Sequence, residues 1–225
     1  MSFAALILIS TLAAALEQQP GQMPPVAPAP SSLPVIVLDA AHGGEDTGAR
    51  AAGGVTEKDA VLALARAVRN ELQRQGLQVL LTRESADAVS FDDRAALANA
   101  QRAAIFVTLH IGSGGRHGTA RAFYLDAPST APPDVTSGLL IPWERAQEAF
   151  VGRSARLAAA VQAHLAQRLN GSAAAPLAVP VRQLRAVAAP AIAIEVASIT
   201  ADASALARTA PALAESIARG VREVR

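Results

Sequence analysis

From Val35 onward, short apolar runs alternate with stretches whose apolar positions recur at helical spacing, the rhythm of an α/β fold. Val35–Asp39 reads as a buried strand. Thr56–Gln75 reads as a helix, because Val61, Leu64, Ala65, Val68 and Leu72 fall on one face. Thr56 stands at its N-cap with Asp59 three residues on, and Gly76 closes its far end. Leu77–Thr82 predicts a second strand and Phe91–Arg102 a short helix. Ala104–His110 predicts a third strand, apolar until its last residue, and Arg121–Asp126 a fourth. A Pro-rich loop over residues 127–142 leads into a long helix from about Pro142 to Leu169. Leu177–Leu184 and Ala191–Ser198 are the last strands, and Ser204–Val224 is a closing amphipathic helix carrying Leu206, Leu213, Ile217 and Val221. The expected architecture is α/β: a mixed, mostly parallel central sheet of about six strands flanked by helices, in a single domain over residues 35–225.

The segments before Val35 read differently. Residues 1–16 carry no charged side chain, and Phe3–Leu16 is a largely apolar run, short for a membrane span. It fits the core of a secretory signal peptide with Ala13–Ala14–Ala15 as cleavage site. No Lys or Arg precedes the run, so an uncleaved N-terminal anchor fits the same pattern. Residues 17–34 are a Pro-rich linker. Export, to a periplasm or to the cell wall outside, is the expectation.

Composition narrows the chemistry. Half of the residues are apolar but only 3% are aromatic, so the core must be built from Ala, Val, Leu and Ile. A net charge of +1 gives no case for nucleic acid or acidic membranes. Without cysteine there are no disulfides and no thiolate metal sites. Any metal must be held by Asp, Glu or one of the four histidines: His42, His110, His117 and His164.

His42 and His110 both stand at strand ends and are followed by glycines, where open α/β sheets bind ligands. Glu57 opens a helix after the glycine-rich loop that follows His42. The helix dipole alone accounts for an acid there, but two histidines and a carboxylate also make a sound zinc site with room left for water. His117 lies in a turn and is expected in solvent, and His164 at a helix surface. Glu195 is the only charged side chain between Arg185 and Asp202. It is either a functional carboxylate in apolar surroundings or a residue on the solvent face of an edge strand.

Six ordered blocks carry a resemblance. They are Leu38-Asp-Ala-Ala-His42-Gly-Gly-Glu-Asp-Thr-Gly-Ala, Glu57-Lys-Asp, Gln78-Val-Leu-Leu-Thr-Arg83, Arg94-Ala-Ala-Leu-Ala-Asn99, Phe106-Val-Thr-Leu-His110 and Ala191-Ile-Ala-Ile-Glu195. Over about residues 35–224 the chain resembles the zinc-dependent N-acetylmuramoyl-L-alanine amidases of the Amidase_3 type. The resemblance implies that His42, Glu57 and His110 bind zinc and that Glu195 is the catalytic residue. It implies hydrolysis of the amide joining the lactyl group of N-acetylmuramic acid to L-alanine of the peptidoglycan stem peptide.

The chain departs from the family pattern at Ala41, where glycine is usual, and at Ile111–Gly112, where a small residue and Asn are usual. It departs again at Val196–Thr200, in place of a Gly-Phe pair and a later Asn. Ala41 is the departure expected to alter the backbone beside His42. Some family members carry a long inserted helix that plugs the zinc site until an activator protein binds. Residues 127–142 are short for that, so an ungated site in a monomer is expected, with peptidoglycan as substrate. A degenerate, wall-binding amidase and a zinc peptidase on the same fold are the alternatives.

Overall fold

The computed structural model describes residues 33–126, 142–200 and 203–224. The signal segment, nearly all of the linker and the Pro-rich loop over 127–141, with the absent plug read from it, lie outside these residues. Among the described residues no helix is long and apolar enough to cross a membrane.

Leu33–Arg225 forms one compact unit around a six-stranded sheet. In chain order the strands are β1 (Val35–Ala40), β2 (Val79–Leu81), β3 (Ala104–Gly112), β4 (Thr119–Leu125), β5 (Leu177–Val179) and β6 (Ala191–Ala197). The helices are α1 (Glu57–Arg74), α2 (Phe91–Asn99), α3 (Val151–Arg168), α4 (Ala203–Ala207) and α5 (Ala210–Glu223). Across the sheet the order is β2-β1-β3-β6-β4-β5. All neighbours are parallel except β4 and β6. The expected mixed, mostly parallel α/β sheet is therefore present.

Strand alternation divides the core between two faces. Ile36, Leu38, Val107, Leu109, Ile192 and Ile194 face α1, α3 and α5. Val37, Phe106 and Ala191 face α2 and the segment Leu184–Ala189. This second face is the thinner cover, and it ends before the C-terminal ends of β3 and β6.

Three boundaries differ from the sequence reading. The long helix begins only at Val151, and Trp143–Phe150 is a 3-10 turn. Gln147 there is fully buried and donates to Ala189 O (2.9 Å), while its backbone N–H donates to Arg185 O (3.0 Å). At Gln147 the segment is tied to a distant loop, while Arg145 N–H closes the local turn on Pro142 O (2.9 Å). β5 stops at Val179 because Pro180 has no N–H to offer, and Arg182–Leu184 coils as a 3-10 turn. The closing helix breaks between Ala207 and Ala210, just before Pro211, which lies in the first turn of α5.

A buried polar knot fixes the end of β1. Asp39 accepts from Thr82 Oγ1 (2.5 Å) and Thr108 Oγ1 (2.6 Å), and pairs with Arg94 Nη1. Arg94 also donates to Ala40 O (2.8 Å) and His42 O (2.6 Å), and Arg83 donates to Ala40 O and Ala41 O (2.9 Å each). All three charged residues are buried. Removing one partner of such a set leaves an uncompensated charge in the interior. Arg94→Met is expected to lower the unfolding free energy by about 3–5 kcal/mol, measured by urea titration. A loss under about 1 kcal/mol would show that the knot contributes little.

Candidate metal centre

The loop from Gly43 to Thr56 decides which residues meet. Gly43 and Asp46 exchange backbone hydrogen bonds (3.1 Å each), and Arg50 pairs with Thr56, so the loop folds back on itself twice. Thr56 Oγ1 caps α1 by accepting from Asp59 N–H (3.4 Å), as the sequence predicts. Glu57, first in the helix, is thereby delivered to His42.

His42, Glu57 and His110 converge, with one ligand atom from each lying within 4.8 Å of the others, and the three form a group able to hold a metal ion. Glu57 Oε1 lies 3.1 Å from His42 Nε2 and 3.2 Å from His110 Nδ1. The two imidazole rings meet edge to face with centroids 5.2 Å apart. His42 Nε2 is shut off from solvent and has no partner in hydrogen-bond geometry. A buried, partnerless imidazole nitrogen aimed at a carboxylate and a second imidazole is what a bound cation would resolve. The donor set fits a metal.

The surrounding groups hold these ligands in place. Asp46 Oδ2 lies 2.8 Å from His42 Nδ1, which fixes the ring and leaves Nε2 for the centre. Glu57 accepts from the N–H groups of Ala49 and Ile111 (2.9 Å each). Gln183 Nε2 lies 3.4 Å from His110 Nε2. Gly48 has φ +60°, and a Cβ there would lie 2.5 Å from Glu57 Oε2 and 2.7 Å from His42 Nε2, so only glycine leaves room for the ligands.

The protonation of the centre follows from these contacts. His42 titrates above the ordinary histidine value, chiefly because the Glu57 carboxylate sits beside it. Burial opposes this, and Asp46 reinforces it. Burial alone would raise Glu57, but His110, His42 and the N–H groups of Ala49 and Ile111 outweigh it. Glu57 lies well below the usual carboxylate range.

Glu195 is placed as neither sequence alternative had it. It is exposed, yet β6 is an interior strand between β3 and β4. It lies in register with His110 on the adjacent parallel strand, which puts both side chains on the same sheet face. Gly112 provides its space, since a Cβ there would lie 2.8 Å from Glu195 Oε1. Ala41 does not distort the entry to the site: it extends the ladder by donating to Leu109 O (3.2 Å), and the left-handed residue is His42 itself (φ 63°). His117 is exposed, with its Nδ1 3.0 Å from Ser198 Oγ, and His164 pairs with Glu223 (2.6 Å). Both stay outside the centre. The sequence reading missed Asp46, Gln183 and Gly48, and of these only Asp46 and Gly48 lay inside a block it had marked.

Residues 36–223 match the family model for N-acetylmuramoyl-L-alanine amidase. The chain belongs to this amidase family. It is 44% identical over 77 residues to the amidase AmiC of Neisseria meningitidis, a match covering 34% of this chain and 18% of that protein. It is 39% identical over 104 residues to the amidase CwlM of Bacillus licheniformis, covering 44% and 41%. These matches span less than half the length of either relative. Among solved structures, the amidase AmiC2 of Nostoc punctiforme superposes with a TM-score of 0.61 at 26% identity, covering 86% of this chain and 98% of that one.

Two outcomes test the centre. Asp46→Ala is expected to weaken metal affinity about 10–100-fold while leaving the fold intact, read by competition with a chelating dye. An unchanged affinity would remove Asp46 from the site. Acid should also release the metal, because a proton on His42 competes with it. In the metal-free protein that proton is held above the ordinary histidine pKa. Affinity should therefore begin to fall at a pH above about 6.5, and a titration from about pH 8 to about pH 5 would show it. An affinity that stays constant across that range would contradict the assignment.

Proposed function

We propose that the protein is a zinc-dependent N-acetylmuramoyl-L-alanine amidase of the bacterial cell envelope. It would cleave the amide between the lactyl group of N-acetylmuramic acid and L-alanine of the stem peptide. The observation that carries this reading is the registered pair His110 and Glu195, which sets a free carboxylate beside a centre of two imidazoles and one carboxylate. Such a donor set, with no thiolate, suits zinc in a catalytic site.

His42, Glu57 and His110 are the residues that would hold the ion. Bound there, zinc supplies Lewis acidity toward the amide carbonyl and lowers the pKa of water from 15.7 to about 7. The other parts of the reaction fall to the chain's own groups. Glu195, exposed on the open face, takes a proton from the attacking water and returns it to the departing nitrogen. A C–O bond forms, the C–N bond breaks, and L-alanine leaves with a free amino group. Glu57, held ionised by its neighbours, keeps its charge at the centre throughout. Asp46 keeps His42 from turning. The apolar N-terminal run supports export, and family membership supports a wall substrate.

The test is digestion of purified peptidoglycan by the zinc-loaded protein, followed by mass spectrometry of the products. Intact stem peptides with an L-alanine amino terminus are expected, and shortened stems would indicate a peptidase instead. Glu195→Ala is expected to abolish turnover while keeping stoichiometric zinc, whereas His42→Ala should lose the zinc as well. A near-normal rate in Glu195→Ala would show that another group moves the proton.

A further inference from the structure

Arg121 is the only charged side chain in β4. Pairing in the sheet sets it directly opposite Glu195, while Glu195 is in register with His110 on its other side. His110, Glu195 and Arg121 therefore form a row across three adjacent strands. Registered neighbours share a sheet face, so all three lie on the open face, away from α3 and α5. The flanking Ala120 and Ala122 are buried in the opposite core.

Arg121 is partly buried, and its Nε is closed to solvent with no hydrogen-bond partner. Among the described residues no carboxylate comes within ion-pair distance of it, although Glu195 is its cross-strand neighbour. A partly buried guanidinium with no carboxylate partner is a costly arrangement unless an anion completes it. Its planar fork is suited to a carboxylate, which it can bind through two parallel hydrogen bonds.

Resting on the amidase reading, we propose that Arg121 binds a free carboxylate of the stem peptide, on the residue that follows L-alanine. The dimensions agree. Neighbouring strands lie about 4.8 Å apart, and one extended residue spans about 3.3–3.6 Å. With the scissile amide over Glu195, the residue after L-alanine comes level with β4. On the muramoyl side the carboxyl is consumed in the amide itself, so an anionic group near the cut belongs to the peptide. The substrate thus runs with its peptide toward β4 and its sugar toward Gln183, on the His110 side of the row. Arg121 is then a specificity residue: it separates walls whose stem carries this carboxylate free from walls in which it is amidated.

The experiment uses two muramoyl peptides that differ only in whether that carboxylate is free or a carboxamide. The zinc-loaded protein should favour the free acid by about tenfold or more in kcat/KM, expressed mainly in KM. In Arg121→Gln the ratio should fall toward one, and Arg121→Lys should restore part of it. No preference in the parent protein overturns the proposal, as does a preference that survives in Arg121→Gln. Equal losses on both substrates also overturn it, since Arg121 would then act only through Glu195. Binding of the two peptides to zinc-loaded Glu195→Gln, by calorimetry, separates this reading from the amidase reading. Tighter binding of the free acid there supports Arg121 even without turnover, and equal binding refutes it.

Discussion

Arg83 and Arg94 clasp three successive carbonyls at the end of β1, those of Ala40, Ala41 and His42. Much else follows from that clasp. A strand that has just left its ladder has carbonyls with no strand partner, and in this interior no water would serve them. The two guanidiniums take those carbonyls, and Asp39 balances one of the charges from below. With the carbonyls fixed, His42 is held at a left-handed φ that a bulky residue seldom adopts without support. The candidate metal centre therefore begins as a backbone problem, solved by charges that touch neither imidazole nor the Glu57 carboxylate.

Glu57 is the second point of convergence. One carboxylate oxygen faces both imidazoles, and both oxygens accept backbone N–H groups. Two of the segments involved, the loop at Ala49 and the end of β3 at Ile111, are linked through this side chain. The acid serves the local fold and the candidate centre together, so the geometry of the three side chains is set by the chain itself. Such preorganisation is what keeps a site tight enough for chemistry.

The sequence displayed the main elements because they follow simple periodicities. The α1 stripe of Val61, Leu64, Val68 and Leu72 is buried as its spacing implies, and the apolar run of β3 is buried up to His110. The residues His42, Glu57, His110 and Glu195 were visible for a different reason, their place in ordered blocks. What remained hidden depends on contacts between distant segments. Trp143–Phe150 has the composition of a helix, but Gln147 is claimed by the loop at Arg185 and Ala189. Glu45 and Asp46 are adjacent acids, and only the turn at Gly43 decides that Asp46 reaches His42. Glu195 looked like an edge residue or a buried one because nothing in the chain announces that β6 enters between β3 and β4. Arg121 was obscured by the same insertion.

The two outer strands of the sheet are only three residues long, and each exposes a leucine, Leu80 on β2 and Leu177 on β5. Pro176 and Pro180 bracket β5, and neither can donate to a neighbouring ladder. A second chain approaching this border would find too few free amides to nucleate pairing. An aromatic-poor sheet rich in Val, Ile and Ala is good material for fibril growth, and the clipped borders deny it a template. The borders of the sheet therefore offer a second copy of the molecule little to pair with.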